Sequence, residues 1–262
     1  MSLTLILMVN KILVSVVRDF IFNPKSRGTK MESQFPNLME CHLKPTISRQ
    51  QLNGLHLRIP LLLFPKRMAR KTSAVSMILV MTTFITINTD GLWSDDRQHN
   101  AFSFFRKNRL DIILLQETHW MSELETQLKS EWNGDAFFSN GTNTSRGVAV
   151  LISLRLDYNM IRVVTDNDGR VLNIILDLEE CILNIYAPNT DNERRVFFSN
   201  LNVFISEEYD NIIGGDFNCI LDARLDKFGG NTEFRNSAGS TLQVICTKYD
   251  LLDVYRHRYK DK

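Results

Sequence analysis

The sequence predicts an α/β fold with mixed sheets, and three observations carry that prediction. From about residue 81 onward, short β-branched or aliphatic runs alternate with segments of helical period. Turn signals such as Asp166-Asn167-Asp168-Gly169 join neighbouring strands in mid-chain, which requires antiparallel pairing. A length of 262 residues at 44% hydrophobic content suffices for one substantial core with an appendage.

Charge divides the chain near residue 80. The formal net charge is only +1, but residues 1–80 hold 12 Lys/Arg against 3 Asp/Glu, a balance of +9. Residues 81–262 hold 19 against 27, a balance of −8. Such asymmetry marks two segments of different character. The acidic balance of the larger one gives no broad electrostatic footprint for tight nonspecific nucleic-acid binding. Cys41, Cys181, Cys219 and Cys246 show no C-x-x-C spacing and no nearby histidine grouping, which argues for a reducing compartment and against zinc or a disulfide framework.

Residues 1–80 read as a poorly ordered, basic N-terminal extension. The apolar stretch 3–17 is broken by Asn10 and Lys11, and it lacks a positive n-region and a small-residue cleavage pattern. It is also short for a membrane span, which needs about 20 apolar residues. Residues 23–49 are polar and contain Pro24, Pro36 and Pro45, as in a linker. Leu61 to Phe64 form an apolar run between two prolines, and 66–71 is a basic cluster that is most simply a solvated run. Behind it, the uncharged residues 73–88 imitate a signal anchor, but the β-branched content of 82–88 favours a strand entering a globular domain.

The domain, residues 81–262, then unfolds in order. Residues 83–87 form a strand ending in Asn88-Thr89-Asp90-Gly91, and 95–108 an amphipathic helix with Ala101, Phe102, Phe104 and Phe105 on its apolar face. Strand 112–115 closes at Gln116-Glu117-Thr118-His119. Ser122 is placed to cap a helix over 123–132, with Glu125 completing a capping box. Strands follow at 136–138, 147–152, 160–164, 171–176 and 181–186, the last ending at Ala187-Pro188-Asn189. A helix over 192–208 is expected to turn Val196, Phe197, Leu201, Phe204 and Ile205 inward. Next comes Asn211 to Ile220, N-I-I-G-G-D-F-N-C-I, where an apolar pair meets two glycines that allow another backbone or a ligand to come close. A loop with Asp222 and Asp226 and a helix over about 234–248 complete the pattern.

Four strand ends carry chemistry. Asn88, Glu117, Tyr186 and Asp216, with Asn218 two places on, stand at or just after the ends of apolar strands. Ligands of α/β sheets bind at such carboxyl ends. Singly, each residue is well explained as a cap or an Asx turn. Together, if the strands run the same way, they bring two carboxylates, one phenol and two amides to a single edge. Hard divalent cations such as Mg²⁺ prefer oxygen ligands of this kind, usually one or two carboxylates plus substrate phosphate. A bound cation can polarise a phosphodiester, leaving a second carboxylate to deprotonate the attacking water.

T-I-N-T-D-G-L (86–92), L-L-Q-E-T-H (114–119), G-V-A-V-L-I-S (147–153), N-I-Y-A-P-N (184–189) and I-I-G-G-D-F-N (212–218) occur in this order. In these five motifs, over roughly residues 81–259, the chain resembles the exonuclease III-like branch of the endonuclease/exonuclease/phosphatase superfamily, and most of all the endonuclease domain of non-LTR retrotransposon polyproteins. The resemblance implies a four-layer α/β sandwich of two mixed β-sheets flanked by helices, and a phosphodiesterase acting on DNA with Mg²⁺ or Mn²⁺. By the resemblance, Glu117 is the metal ligand, with Asp90 a second contributor at a position where many retrotransposon members carry Asn. Asp216 positions and activates the water, Asn88 and Asn218 hold the phosphate and that carboxylate, and Tyr186 donates to the scissile phosphate. His119 packs beside Glu117, and Arg146 is a solvated loop residue or a backbone-phosphate contact.

The family continues with a Ser-x-Ile-Asp strand and a Ser-Asp-His motif, neither of which is found before Lys262; His257 reads as a surface residue. The expectation is therefore a fold incomplete at its C-terminus, derived from a retroelement, weak or inactive as a nuclease, monomeric or prone to aggregate, with no membrane association. The expected location is intracellular, nuclear or cytoplasmic. The competing reading is a non-catalytic remnant that binds metal or nucleic acid weakly.

Overall fold

The computed structural model describes residues 5–9, 15–17, 55–58, 82–177, 180–221 and 237–258. The proline-containing stretch 23–49, the 61–64 run, the basic cluster 66–71 and the loop acids Asp222 and Asp226 lie outside them. In chain order the strands and α-helices are Leu5–Val9 (β1), Ser15–Val17 (β2), Leu55–Arg58 (β3), Thr83–Asn88 (β4), Asp95–Lys107 (α1), Ile112–Gln116 (β5), Glu125–Trp132 (α2), Gly134–Ser139 (β6), Val148–Ser153 (β7), Met160–Thr165 (β8), Val171–Leu176 (β9), Glu180–Tyr186 (β10), Asp191–Asn200 (α3), Asp210–Asp216 (β11), Ser237–Lys248 (α4), Leu252–Asp253 (β12) and Val254–Arg258 (α5).

Two mixed sheets of the same plan face each other. In one, β4 and β5 are parallel, with Asn88 opposite Gln116, and β7 and then β6 continue the sheet antiparallel. In the other, β10 and β11 are parallel, with Tyr186 opposite Asp216, and β9 and then β8 follow antiparallel. The domain boundary expected at residue 81 meets backbone pairing from upstream: β3 lies antiparallel to β4, and β1 antiparallel to β11. An apolar layer between the sheets includes Phe84, Ile112, Leu114, Val150, Leu172, Ile174, Ile182 and Ile212. The alternate residues of the same strands point outward: Ile113 and Leu115 pack with Phe102, Phe105, Trp120 and Trp132, and Leu183 and Ile213 pack with Phe198, Leu242 and Ile245. This period-2 alternation with both faces covered makes the expected four-layer α/β sandwich.

Helix boundaries follow local chemistry. Ser94 caps α1 by accepting from the Arg97 N–H at 3.4 Å, acids open the helix and Arg106 and Lys107 close it, as the helix dipole favours. The capping box expected at Ser122 is not made. Residues Ser122–Leu124 form a 3₁₀ turn without a side-chain cap bond, and the α-helix starts at Glu125. The same spacing, Thr-x-x-Glu from Thr190, does supply a cap: its Oγ1 accepts from the Glu193 N–H at 3.4 Å and its hydroxyl donates to the Glu193 carboxylate at 2.6 Å. The helix expected over 192–208 ends at Asn200 and passes into a 3₁₀ turn, Leu201–Val203. Its buried face is Arg194 and Phe198, one turn apart, so Val196 points outward and is 56% exposed.

Below the upper rim the two sheets are joined by polar side chains. Asn184 has no exposed surface; its amide donates to Leu115 O at 2.9 Å and Ala149 O at 2.8 Å, both in the facing sheet. Gln116 donates to Asn184 Oδ1 at 2.6 Å and to Thr86 Oγ1 at 3.1 Å. Gly215 is required by a close approach: a Cβ there would lie 2.0 Å from Ile185 O in the neighbouring strand.

At the far end of β10, Glu180 is 5% exposed, and its Oε2 has no hydrogen-bond partner among the described residues. Burial, and then the carboxylate of Asp210, push its pKa up to about 8. The folded state therefore keeps a proton that the unfolded chain releases above the ordinary carboxylate range. This contribution is fully favourable below about pH 4.5 and is lost progressively as pH rises to about 8. Denaturant midpoints measured across that window are expected to fall less in Glu180→Gln than in the wild type; parallel curves would show that Glu180 does not hold its proton in the fold.

Candidate active site

Parallel pairing within each sheet brings all four strand ends to one rim. Asn88 closes β4, Tyr186 closes β10 and Asp216 closes β11, while Glu117 is the first residue after β5. The sheets are bridged here twice. The Asn88 amide donates to Asp216 Oδ2 at 2.8 Å, and the Tyr186 hydroxyl donates to Glu117 Oε1. Asn218 completes the first group: its N–H donates to Asp216 Oδ1 at 2.9 Å, and its amide donates to Ala187 O at 2.8 Å.

The loops holding these groups are hydrogen-bonded to one another and strained. Asp90, Glu117, His119, Arg146 and Asn218 all have positive φ, between 47° and 66°. Left-handed backbone at a non-glycine residue costs on the order of 1 kcal/mol or more and persists only where its surroundings impose it. Here they do: Gly91 N–H donates to Glu117 O at 2.7 Å, Leu92 N–H to Thr118 O at 2.9 Å and His119 N–H to Arg146 O at 3.0 Å. Arg97 reaches back to the carbonyls of Thr89 and Asp90 at 2.9 and 3.2 Å.

Asp216 is fully buried, and burial pushes its pKa up to about 6. The hydrogen bonds from Asn88 and the Asn218 N–H oppose that rise, the Glu117 charge adds to it, and the Arg194 charge opposes it. Burial and the bond to Glu117 hold the Tyr186 phenol protonated, well above its ordinary range. Asp90 is only partly drawn in. Its N–H donates to Asn88 Oδ1 at 3.0 Å, but its side chain is exposed and makes no hydrogen bond to Glu117. His119 packs against Gly91, where a Cβ would lie 2.8 Å from its Nδ1. His257 is exposed.

Among the described residues no group of three or more His, Cys, Asp and Glu converges as a metal cage. The donor set nevertheless fits a hard divalent cation: it is all oxygen, and the Glu117 charge lies close enough to Asp216 to add to the cost of ionising it. Mg²⁺ sites of this kind take one or two carboxylates and complete their shell with water and substrate.

Four contributors were given no role by the motif reading. Arg194 is 7% exposed, donates to Pro188 O, Asn189 O and Asp191, and supplies positive potential behind Asp216. Its signal was an arginine one turn before Phe198 on the inward helix face. Arg170 stacks on the Tyr186 ring at 5.2 Å and donates to Tyr186 O at 3.0 Å. Asn184 and Gln116 were visible as polar residues in otherwise apolar strands.

The model of the Endonuclease/Exonuclease/phosphatase family matches residues 85–253. The chain belongs to this family. A curated relative, the uncharacterized 149 kDa protein of transposon TX1 from Xenopus laevis, is 35% identical over 181 residues, 66% of this chain; the match spans 14% of that protein. Among solved structures, the family fold recurs in an AP endonuclease from Archaeoglobus fulgidus with a TM-score of 0.56 at 17% identity, over 70% of this chain and 76% of that one. An AP endonuclease from Leishmania major gives 0.53 at 16% identity, over 68% of this chain and 69% of that one. A 3′ phosphatase from Neisseria, bound to a product DNA hairpin, gives 0.50 at 16% identity, over 63% and 70%. No described helix is long and apolar enough to cross a membrane.

Removal of the Asn88 amide takes away a hydrogen bond that stabilises ionised Asp216. The Asp216 carboxyl titration, followed by carbon-13 NMR in metal-free buffer, is expected to move upward from about 6 in Asn88→Ala. An unmoved midpoint would show that the cross-sheet bond does not tune this carboxylate.

Proposed function

We propose that the chain is a divalent-metal-dependent phosphodiesterase acting on DNA, an endonuclease of the exonuclease III-like type derived from a non-LTR retrotransposon. One observation carries the reading: the Asn88–Asp216 hydrogen bond between strand ends of opposite sheets, which sets a buried carboxylate beside Glu117 at a rim otherwise lined by a phenol and amides. Membership of the family, the transposon relative and the fold shared with AP endonucleases support the same reading.

Glu117 would hold Mg²⁺ or Mn²⁺, with Asp90 as a second contributor once its exposed side chain turns inward. Bound there, the cation would polarise the phosphodiester and neutralise charge on the leaving oxygen. Asp216 is suited to take the proton from an attacking water, because its pKa of about 6 places the base near working pH. Asn88 and the Asn218 N–H fix the orientation of that carboxylate, and Asn218 anchors the loop to Ala187. Tyr186 keeps its proton and donates to a phosphate oxygen in place of Glu117 when substrate enters. The water oxygen bonds to phosphorus as its proton passes to Asp216, the P–O bond to the leaving sugar breaks, the sugar oxygen takes a proton from solvent to become a hydroxyl, and Asp216 returns its proton to solvent.

DNA is the proposed partner. The described cysteines, Cys181, Cys219 and Cys246, are buried thiols, which suits a reducing intracellular site, nuclear or cytoplasmic.

The test is nicking of supercoiled plasmid. Open-circle product is expected with Mg²⁺ and not with EDTA, and Asp216→Asn is expected to slow its formation by about 10²-fold or more. Calorimetry is expected to show Mg²⁺ binding that Glu117→Ala abolishes. Metal binding without any Asp216-dependent nicking would establish the non-catalytic remnant instead.

A further inference from the structure

We infer that Arg170 and Arg146 form a subsite for a backbone phosphate of the nucleic acid, flanking the scissile phosphate on the Tyr186 side of the rim. The inference rests on the nuclease reading above and names where its substrate is held. The turn Asp166–Gly169 delivers Arg170 to the start of β9, with the Asp166 carboxylate accepting from the N–H groups of Arg170 and Val171 at 3.0 Å. Its half-buried guanidinium lies over the Tyr186 ring at 5.2 Å and spends one N–H on Tyr186 O at 3.0 Å.

A guanidinium carries five N–H donors. Among the described residues Arg170 makes no salt bridge, although Asp166 and Asp168 stand in the same turn. A cation so placed, partly removed from water and with only one N–H of its planar donor fork given to a described residue, is built to receive an oxyanion. Arg146 is its neighbour, close enough for the two charges to repel. Among the described residues Arg146 is paired only with Asp168, at 3.3 Å, and the two side chains are 41% and 72% exposed. An exposed pair of this kind contributes little and exchanges readily for a phosphate. The surrounding domain is acidic, so two adjacent cations beside the reacting phenol are a local exception with a use. A phosphate bridging them would relieve their mutual repulsion and press the Tyr186 ring into its place opposite Glu117.

The test is the salt dependence of binding to a fluorescein-labelled DNA duplex, measured in Mg²⁺ on an Asp216→Asn background that suppresses cleavage. Each lost phosphate contact is expected to lower the slope of log affinity against log salt by about 0.9. Arg170→Gln and Arg146→Gln should each show that loss on two duplexes of unrelated sequence. Arg162→Gln, on exposed β8 away from the rim, should keep the full slope. An unchanged slope in a folded Arg170→Gln protein would reduce Arg170 to a support for Tyr186 and overturn the subsite, as would absence of DNA binding. If Arg170→Gln does not fold, phenylglyoxal labelling of the unsubstituted Arg170, mapped by mass spectrometry, must be blocked by DNA; equal labelling with and without DNA overturns the proposal. Binding is read without turnover, so normal slopes in a chain that never nicks DNA would refute the nuclease reading alone.

Discussion

The relation between the two sheets depends on Asn184. A sandwich held only by apolar contact tolerates small slides, because dispersion and burial are nearly indifferent to direction. Hydrogen bonds to the backbone of the opposite sheet are not. Asn184 sits in the middle of β10 with no exposed surface and donates to carbonyls of both β5 and β7, while Gln116 donates back to its oxygen. Every group in this set is buried, so a slide of either sheet would strand polar atoms at roughly 1–3 kcal/mol each. The lock lies two residues before Tyr186 and one before Glu117. The two cross-sheet bonds at the rim, Tyr186 to Glu117 and Asn88 to Asp216, inherit their geometry from it.

Above this lock the chain accepts strain. Five non-glycine residues in the loops around the rim take left-handed backbone, and the loop after β4 is hydrogen-bonded to the loop after β5 residue by residue. Each loop alone would relax toward an ordinary turn. Bound to one another, and backed by the buried indole of Trp120 donating to Leu92 O at 3.0 Å, they present Glu117 and Asn88 without freedom to drift. Such preorganisation is what electrostatic stabilisation of a developing charge requires, since no reorganisation is then needed at the moment of reaction.

Much of this was legible. The strands were readable because both faces of each central strand are buried, giving short unbroken apolar runs closed by Asn-Thr-Asp-Gly or Ala-Pro-Asn. The rim residues were readable as polar groups at strand ends, although only the parallel pairings β4–β5 and β10–β11 make those ends coincide. The Asx turn that would have sufficed to explain Asp216 and Asn218 is real, and it also orients the carboxylate. What failed was local: Ser122 and Thr190 both open capping-box patterns, and only Thr190 makes a side-chain cap bond. The inward place of Arg194 was hidden because a charged residue on a helix reads as solvated, yet the carbonyls of Pro188 and Asn189 give it partners.

The charge arrangement explains why a cation and a phosphate would suit this rim together. Burying Asp216 beside Glu117 in a domain of negative balance is unfavourable, and the pKa of Asp216 records it. Arg194 relieves the cost from behind through a buried, fixed position, its terminal nitrogens held by loop carbonyls and Asp191. Arg170 stands on the Tyr186 side and gives one N–H, among the described residues, to Tyr186 O. A cation at Glu117 would lower the potential that burial creates, and a phosphodiester would bring the negative charge that Arg170 lacks. Each would make the other easier to bind, so the same negative balance that repels nucleic acid from the bare domain favours joint entry of metal and substrate at this one rim.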